Sequence, residues 1–302
     1  MRPTHTAAPV VDAHHHLWDL REHPQDWVDP TTMGLLLRDF DVPHLLADAA
    51  GHADLVATVV VQSVHDADET THLLARAQRW PVLAGVVGWA DLTAPDLADR
   101  LAAWRAAAGG HRLVGLRHVV QGEADPAWLD RPAVRGGLGT LAETGLVFDL
   151  LLTTTQLPAA VRTVRALPQL RFVLDHLAKP PIGTPAMARW AEGVRALAAE
   201  PNVSAKVSGL VTEVPAHPWA VDDLRPAVEL ALDAFGPHRL MFGSDWPVCR
   251  LAAPYADVVG SLRRLLSGLS PDEQDAVWSR TACRVYGLPL ATSSATTDEG
   301  QR

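Results

Sequence analysis

The sequence predicts an α/β protein built as a closed (β/α)8 TIM barrel. Short apolar segments alternate with amphipathic segments in units of roughly 30 residues, as repeated strand and helix pairs require. There are eight such apolar segments, and most are continuously hydrophobic, which is typical of strands buried on both faces. An open, doubly wound sheet usually has fewer strands, so eight of them favour the barrel.

The strands and helices follow in order along the chain. The predicted strands are Val10–His14, Leu55–Val64, Leu83–Ala90, Val114–Val119, Leu146–Leu152, Arg171–His176, Val203–Ser208 and Arg239–Ser244. Apolar residues recur at three- and four-residue spacing between them, and this predicts amphipathic helices. These helices are Asp68–Trp80, Pro95–Ala107, Pro132–Glu143, Ala186–Glu200 and Asp222–Phe235.

The end of the chain contains two further helices. One is predicted near Tyr255–Leu266, and the last is opened by the capping box Ser270-Pro271-Asp272-Glu273. Residues 1–290 are expected to form one barrel domain. Residues 291–302, rich in Ser, Thr and Ala, are predicted to be a disordered tail.

Composition narrows the class of protein. The net charge of −9 and the absence of basic runs with interleaved aromatic residues argue against a nucleic-acid partner. The longest apolar run, near Leu55–Val61, is too short to span a bilayer, and Met1–Pro9 does not resemble a signal peptide. We therefore expect a cytoplasmic protein in which Cys249 and Cys283 stay reduced. A homodimer is compatible with the sequence but is not specified by it.

The first strand ends in histidines. In the segment Val-Val-Asp-Ala-His-His-His-Leu-Trp at residues 10–18, strand alternation predicts that Asp12, His14 and His16 share one face. Val11, Ala13 and His15 would share the other. A chance cluster among the 14 histidines of the chain is the alternative interpretation.

A long connection follows this strand. About 25 residues, from Leu17 to Asp41, precede the next helix, and loops of that length are usually functional. In a barrel this loop lies at the C-terminal face, where active sites are built. Its residues Trp18, Trp27 and Arg38 suggest a lid over a cavity, although the tryptophans could equally be a hydrophobic cover for the barrel mouth.

Charged and polar residues also mark the ends of other strands. Asp175 and His176 follow strand six, and Asp245 follows strand eight. The remaining examples are Arg117 and His118 in strand four, Asp149 in strand five and Lys206 in strand seven. For Asp149 and Lys206 taken alone, a buried ion pair between strands is the favoured interpretation. Taken together, the set describes a catalytic mouth at one end of a barrel better than a packed core.

These segments resemble the lactonase branch of the amidohydrolase superfamily, which includes L-fuconolactonases, L-rhamnonolactonases and pyrone-dicarboxylate lactonases. The likeness covers nearly the whole chain. It rests on the segments 12–18, 37–40, 61–62, 85–92, 115–118, 175–180, 206–210 and 242–248. By this resemblance His14, His16 and His176 match the strand-end histidines of the family, and Asp245 matches its strand-eight aspartate. The chain departs from the family pattern in two segments, which are His23-Pro24-Gln25-Asp26-Trp27 in the first loop and Thr281-Ala282 in the last helix. These departures concern the identity of the substrate more than the chemistry.

The resemblance implies hydrolysis of a lactone ring. Asp245 would take a proton from the attacking water and return it to the ring oxygen, as base and then acid. His14, His16 and His176 would polarise the carbonyl either by direct hydrogen bonds or by holding, with Asp245, one divalent metal, zinc being the preferred ion. Asp12 would then orient a histidine. Metal-independent catalysis is an equal alternative, because strand five offers Asp149 where metal-binding members of the superfamily carry a histidine.

The expected substrate is a five- or six-membered lactone of a sugar acid. Arg117, with His118, Gln62 and Lys206, would donate hydrogen bonds to it, while Trp18 and Trp246, together with Trp89, would pack on its ring. Few cationic side chains lie near the strand ends. This disfavours a dicarboxylate substrate, because each of its carboxylates would need a cationic partner in the site. The alternatives are a metal-dependent decarboxylase or hydratase of the same superfamily, and a barrel that binds a sugar acid without turning it over.

Overall fold

The computed structural model describes residues 9–215 and 218–289. Eight parallel strands form one sheet whose spatial order follows the order of the sequence. The strands are β1 (Val10–His15), β2 (Leu55–Val61), β3 (Leu83–Gly88), β4 (Leu113–Val119), β5 (Val147–Leu151), β6 (Arg171–Leu174), β7 (Val203–Val207) and β8 (Leu240–Phe242). The predicted (β/α)8 barrel is confirmed, and most predicted strands extend beyond the observed ones at their C-terminal ends.

The segment after β8 closes the barrel against β1. The backbone amide of Asp245 donates to the carbonyl of His14 at 2.8 Å, and the amide of His16 donates to the carbonyl of Trp246 at 2.7 Å. This closure places the residues that follow β8 beside the histidines of β1.

Helices follow the strands and cover the outside of the sheet. They are α1 (Val42–Ala49), α2 (Ala67–Arg79), α3 (Leu97–Ala106), α4 (Pro132–Thr144), α5 (Leu157–Ala166), α6 (Met187–Ala198), α7 (Val221–Phe235), α8 (Tyr255–Leu265), α9 (Pro271–Asp275) and α10 (Thr281–Tyr286). The predicted capping box is present at α9, where Ser270 and Glu273 bond each other's backbone amides. A π-helical turn, Ala276–Arg280, joins α9 to α10.

Two apolar layers hold the barrel together. One layer lies between the helices and the outer face of the sheet. The other contains Val11, Ala13, Val59, Val61, Val87, Val147, Val173 and Met241 of the strands, and it is continued by Ala282, Val285, Tyr286 and Leu288 of the last helix and its end. The last helix therefore covers one end of the barrel, and the C-terminal ends of the strands lie at the other.

An irregularity in β1 overturns one prediction. The pairing of β1 with β2 shifts between Asp12 and His15, so that strand alternation is broken there. Asp12 accepts hydrogen bonds from the amides of Ser244 and His14 and from the hydroxyl of Tyr255, at the start of α8. The prediction that Asp12 shares a face with the two histidine rings and orients one of them is wrong, because its carboxylate bonds backbone and Tyr255 instead.

Within residues 9–215 and 218–289, no helix is both long enough and apolar enough to cross a membrane. Cys249 and Cys283 are buried free thiols. The predicted tail, 291–302, lies outside the described residues, and the domain boundary at 290 stays a prediction.

Candidate active site

Three imidazoles and one carboxylate meet at the C-terminal ends of β1, β6 and β8. The Nε2 atoms of His14 and His16 are 3.3 Å apart. Oδ1 of Asp245 lies 3.6 Å from Nε2 of His16, 3.8 Å from Nε2 of His14 and 3.9 Å from Nε2 of His176. All four side chains are buried. The structure thus brings together the four residues for which the sequence predicts a catalytic or metal-binding role.

Each ring is oriented by a contact at its other nitrogen. Nδ1 of His16 lies 2.8 Å from the carbonyl of Val61, so it must donate there, which leaves Nε2 to face the site. Nδ1 of His176 lies 2.8 Å from Oγ of Ser208. In each ring one nitrogen faces the site, and the other contacts a neighbouring group of the protein. This pattern is typical of histidines that bind metals.

His14 is held by a buried network of charges. Its Nδ1 lies 3.3 Å from Oδ1 of Asp175 and 3.1 Å from Nζ of Lys206. Lys206 also contacts Asp149, whose two carboxylate oxygens lie 2.9 and 2.8 Å from the hydroxyl of Tyr286 and share its one donated hydrogen. The interpretation of Asp149 and Lys206 as a buried ion pair agrees with these contacts.

The charge states follow from this environment. Burial raises the pKa of Asp245, but the neighbouring rings of His176, His16 and His14 outweigh it and leave the pKa below its usual value. Burial lowers the pKa of His176 to about 4, and it also lowers the pKa of His14. At neutral pH the site therefore combines the ionised carboxylate of Asp245 with neutral rings at His14 and His176, apart from any ion that binds there.

The backbone around these residues is strained. Asp245 has φ of 59°, and the run His176, Leu177, Ala178 and Lys179 has φ between 51° and 59°, a region that non-glycine residues rarely adopt. Such strain is concentrated at functional sites, where surrounding structure holds it in place.

Gly209 completes the floor of the site. It has φ of +65°, and a Cβ atom added to it would lie 2.7 Å from Nδ1 of His176 and 3.0 Å from Oδ2 of Asp245. A side chain at this position would therefore displace two of the four central residues.

The central residues open into a cavity of about 570 Å³. Its lining comprises His16, His23, Pro24, Asp26, Trp27, Ser63, Val64, His65, Asp66, Arg117, Val119, Gln121, Leu151, His176, Lys179, Asp245 and Val248. The long loop after β1 supplies four of these residues, including Trp27, whose surface is 41% exposed. This position agrees with the predicted lid.

Arg117 is the predicted substrate-binding residue that lines the cavity. Its guanidinium donates to Asp175 at 3.2 Å and to the backbone carbonyl of Gln62, and Nη1 lies 3.3 Å from Nε2 of His14. A cationic donor is therefore fixed beside the central residues.

Trp18 and Trp246 require a correction, because neither lines the cavity. Trp18 is buried, donates to the carbonyl of Arg38 at 2.8 Å and packs edge-on against Trp27, with 6.0 Å between ring centroids. Trp246 is buried and donates to Asp48. Both tryptophans turn inward because the interior gives their rings apolar contacts and their N–H groups an acceptor. Trp27 takes the place that the sequence assigned to Trp18.

Gln62, His118 and Lys206 are not among the residues that line the cavity either, and each bonds a neighbouring group of the protein instead. Gln62 donates to the carbonyl of Arg117 and accepts from its guanidinium. Lys206 is fully buried behind His14. His118 stacks on His65, with centroids 4.3 Å apart, and bonds Glu123 at 2.7 Å.

The sequence did not single out several residues of the cavity wall. His65, Asp66, Gln121 and Lys179 were not assigned to the site, although Lys179 follows the Asp175 and His176 pair. The sequence marks Asp175 as a charged strand end, and the structure adds its contact with His14. The available signal was position shortly after a strand, which applies to each of these residues.

The central residues fit a divalent metal. Tetrahedral ligands at the usual zinc–nitrogen distance are separated by about 3.3 Å, and the nitrogen and oxygen atoms above lie 3.3 to 3.9 Å apart. Nε2 of His16 faces the shared centre, because its Nδ1 is bonded to the carbonyl of Val61. Arg117 competes for His14, because Nη1 lies as close to Nε2 of His14 as His16 does.

Comparison with known proteins places this geometry in a family. The family model described as "Amidohydrolase" matches residues 11–288. The chain is 41% identical over 295 residues to the L-fucono-1,5-lactonase of Burkholderia multivorans, covering 92% of this chain and 96% of that relative. It is 37% identical over 284 residues to the L-fucono-1,5-lactonase of Burkholderia ambifaria, covering 92% of this chain and 95% of that relative.

A solved structure is similar over the same length. The crystal structure of an amidohydrolase from Burkholderia multivorans with bound zinc has a TM-score of 0.87 and 39% sequence identity, and the match covers 93% of this chain and 100% of that chain. The matched barrel, the strand-end histidines and Asp245 lead to one conclusion: this chain belongs to the amidohydrolase family.

Proposed function

We propose that this protein hydrolyses the lactone of a sugar acid. The observation that carries the proposal is the ionised carboxylate of Asp245, which faces three imidazole rings and the Arg117 guanidinium at the floor of a cavity of about 570 Å³. The names of the relatives from the two Burkholderia species support the same reaction.

The reaction requires a base, an electrophilic group and an acid. Asp245 accepts a proton from water as the water oxygen attacks the carbonyl carbon of the lactone. When the bond between that carbon and the ring oxygen breaks, the same proton passes from Asp245 to the ring oxygen. The products are a carboxylic acid and a free hydroxyl group, and one carboxylate serves both steps.

Arg117 is the donor that this chain itself holds ready for the carbonyl oxygen. Since Nδ1 of His16 donates to the carbonyl of Val61, Nε2 of that ring can donate to a substrate carbonyl only when both of its nitrogens carry a proton. Without a metal, stabilisation of the developing oxyanion would fall mainly to Arg117.

His14, His16 and Asp245 form a group of side chains that could hold a divalent ion, and His176, whose Nε2 lies 3.9 Å from Oδ1 of Asp245, would be the fourth ligand. Zinc suits their nitrogen and oxygen atoms. Such an ion, when bound, acidifies a water molecule and polarises a carbonyl group. The orientation of each ring by Val61, Ser208 or Asp175 is already suited to that role.

The cavity wall favours a neutral, hydroxylated substrate. Asp26 and Asp66 place carboxylates on the same wall as His65, Gln121 and Lys179. Hydroxyl groups can both donate to the carboxylates and accept from the other side chains. A dicarboxylate would instead meet two like charges, which is unfavourable in a partly desolvated site. The proposal is for a small-molecule enzyme of the cytoplasm with no nucleic-acid partner.

The test is a panel of lactones assayed by the release of acid. We expect kcat/KM for aldonolactones, such as those of fucose, rhamnose, galactose and arabinose, to exceed that for a pyrone dicarboxylate and for unsubstituted lactones. Asp245→Asn serves as the control for uncatalysed ring opening. Preference for the dicarboxylate or for unsubstituted rings would contradict the substrate class, and acid release no faster than with Asp245→Asn would contradict the reaction.

A further inference from the structure

A second group of metal-ligating side chains lies beside the mouth of the cavity. Glu22 and His23 belong to the long loop after β1, and His72 lies on α2. Nε2 of His23 is 2.6 Å from Nδ1 of His72, and Oε2 of Glu22 is 3.8 Å from that same Nδ1. The loop and the helix thus contribute two nitrogens and one oxygen to a common point.

The surroundings of His23 distinguish this group from an ordinary surface cluster. Only 7% of its side chain is exposed, and its Nδ1 forms no hydrogen bond with any residue in the ranges 9–215 and 218–289. The nearest carboxylate oxygen is Oδ2 of Asp66, at 3.4 Å. Buried ring nitrogens are normally paired, so this one calls for an explanation.

We propose that Glu22, His23 and His72 bind a divalent cation of the zinc class, with Asp66 accepting from Nδ1–H of His23. A carboxylate behind a ligating histidine is a common feature of zinc sites, where it fixes the tautomer and makes the other nitrogen a better ligand. Two nitrogens and a carboxylate oxygen suit zinc and other first-row ions better than magnesium or calcium, which prefer oxygen alone. The remaining positions would be filled by water.

The geometry requires a small adjustment. The 2.6 Å contact between Nε2 of His23 and Nδ1 of His72 is a hydrogen bond, which the ion would replace. Two ligands of a tetrahedral zinc ion lie about 3.3 Å apart, so these two nitrogens must separate by less than about 1 Å. His72 and Glu22 can supply this movement, since 46% and 49% of their side chains are exposed. The carboxylates of Glu22 and Asp66 together balance the charge of a divalent ion.

The guanidinium of Arg76 lies near the proposed zinc site but does not occupy it. Nη2 of Arg76 is 3.9 Å from Oε2 of Glu22, beyond hydrogen-bond distance, and its Nη1 is 3.6 Å from Asp41. Glu22 is therefore available as a ligand.

Binding here would fasten the loop to α2 at the wall of the cavity. The carbonyl of His23 accepts from Nε2 of Gln25 at 2.9 Å, and Oε1 of Gln25 accepts from Nε1 of Trp27 at 2.8 Å. Since Trp27 lines the cavity, the ion would fix one of its walls without touching the residues at its floor.

The experiment is a calorimetric titration of the metal-free, full-length protein with zinc chloride, accompanied by elemental analysis after desalting. We expect His72→Ala and Glu22→Gln each to bind one zinc ion fewer than the wild-type protein. His111→Ala removes an exposed histidine elsewhere and should bind as many ions as wild type. Zinc should also raise the Tm of wild type more than that of His72→Ala.

The comparison between variants makes the result independent of the central residues and of the proposed lactonase activity. Equal zinc stoichiometry in wild type, His72→Ala and Glu22→Gln would overturn the proposal, as would equal loss in His111→Ala, which indicates an adventitious ion only. Tight binding of magnesium at the same residues would also contradict it. Glu22→Gln changes an exposed side chain, so the test does not depend on His72→Ala folding.

Discussion

Nζ of Lys206 lies 2.6 Å from Oδ2 of Asp149, and both side chains are completely buried beneath the site. Lys206 also contacts Asp175, so Lys206→Met would leave two buried carboxylates without their ammonium partner. We expect a loss of about 3–5 kcal/mol in the free energy of unfolding, measured by denaturant titration. Lys179→Met, which breaks a partly exposed pair with Glu213 at 3.2 Å, is the matched control and should cost about 0–1 kcal/mol. Similar costs for the two variants would contradict the structural role of Lys206.

The variant Asp245→Asn tests whether Asp245 is the base that accepts a proton from the attacking water. The amide cannot accept the proton of water, so kcat should fall by about 10² or more, while circular dichroism and Tm stay close to wild type. Asp257→Asn changes an exposed acid on α8 and should leave kcat unchanged. Activity of Asp245→Asn within a factor of about three of wild type would assign the proton transfer to another group.

Gly209→Ala tests the packing of the floor. The new Cβ would approach His176 and Asp245, so steady-state kinetics should reveal a large fall in kcat together with a modest loss of stability. Gly145→Ala is the matched control, because Gly145 has φ of +73° and, among the described residues, no atom within 4 Å of an added Cβ. The control should lose about 1 kcal/mol of stability and no activity. Equal activity in the two variants would separate Gly209 from the site.

We expect the buried carboxyl group of Glu69 to make the free energy of unfolding depend on pH. Its buried carboxylate accepts from the amides of Ser63 and Val64, which line the cavity, and burial raises its pKa to about 7 from 4.5. Because the folded-state pKa is raised, this contribution to stability is complete below pH 4.5 and is lost as the pH rises through 7. Glu69→Gln should therefore lose about 3 kcal/mol less than wild type between pH 4 and pH 8, by denaturant unfolding.

The control for Glu69 is Asp68→Asn, an exposed acid on the same helix, whose stability profile should follow that of wild type. Parallel profiles for wild type and Glu69→Gln would indicate that the three hydrogen bonds from Ser63 and Val64 keep the carboxylate ionised after all.

Binding of a metal by the central residues is tested by measuring the metal content of the protein. In the His72→Ala background, protein purified without added metal should contain close to one ion per chain by elemental analysis, and a chelator should abolish hydrolysis. His16→Ala in that background should lose the ion. Full activity of the metal-free protein would contradict a catalytic metal. Arg117 would then be the group that donates to the carbonyl oxygen, and the histidines would not act as metal ligands.

Much of the fold could be predicted because it depends on local pattern. Continuous apolar segments define strands in a barrel, and the register of parallel strands places all their C-terminal ends together. His14, His16, His176 and Asp245 could be found for this reason. Asp12 could not, because a register shift in β1 breaks the alternation on which the prediction relied.

The cavity wall was harder to predict because it depends on how loops fold over the barrel. A tryptophan next to a strand, such as Trp18 or Trp246, gains more from burial than from facing the cavity, and nothing in its sequence position reveals this. Trp27, in the middle of the long loop, became the exposed wall residue instead. The contact between His23 and His72 joins residues 49 positions apart and leaves no local pattern at all.

The two lysines of the chain are Lys179 and Lys206. Lys206 is inaccessible, whereas 29% of the Lys179 side chain is exposed at the cavity wall. Reductive methylation with isotope-labelled formaldehyde should therefore modify one side chain in addition to the terminal amine. The resulting methyl resonance would give a single spectroscopic probe at the cavity wall, without any mutation.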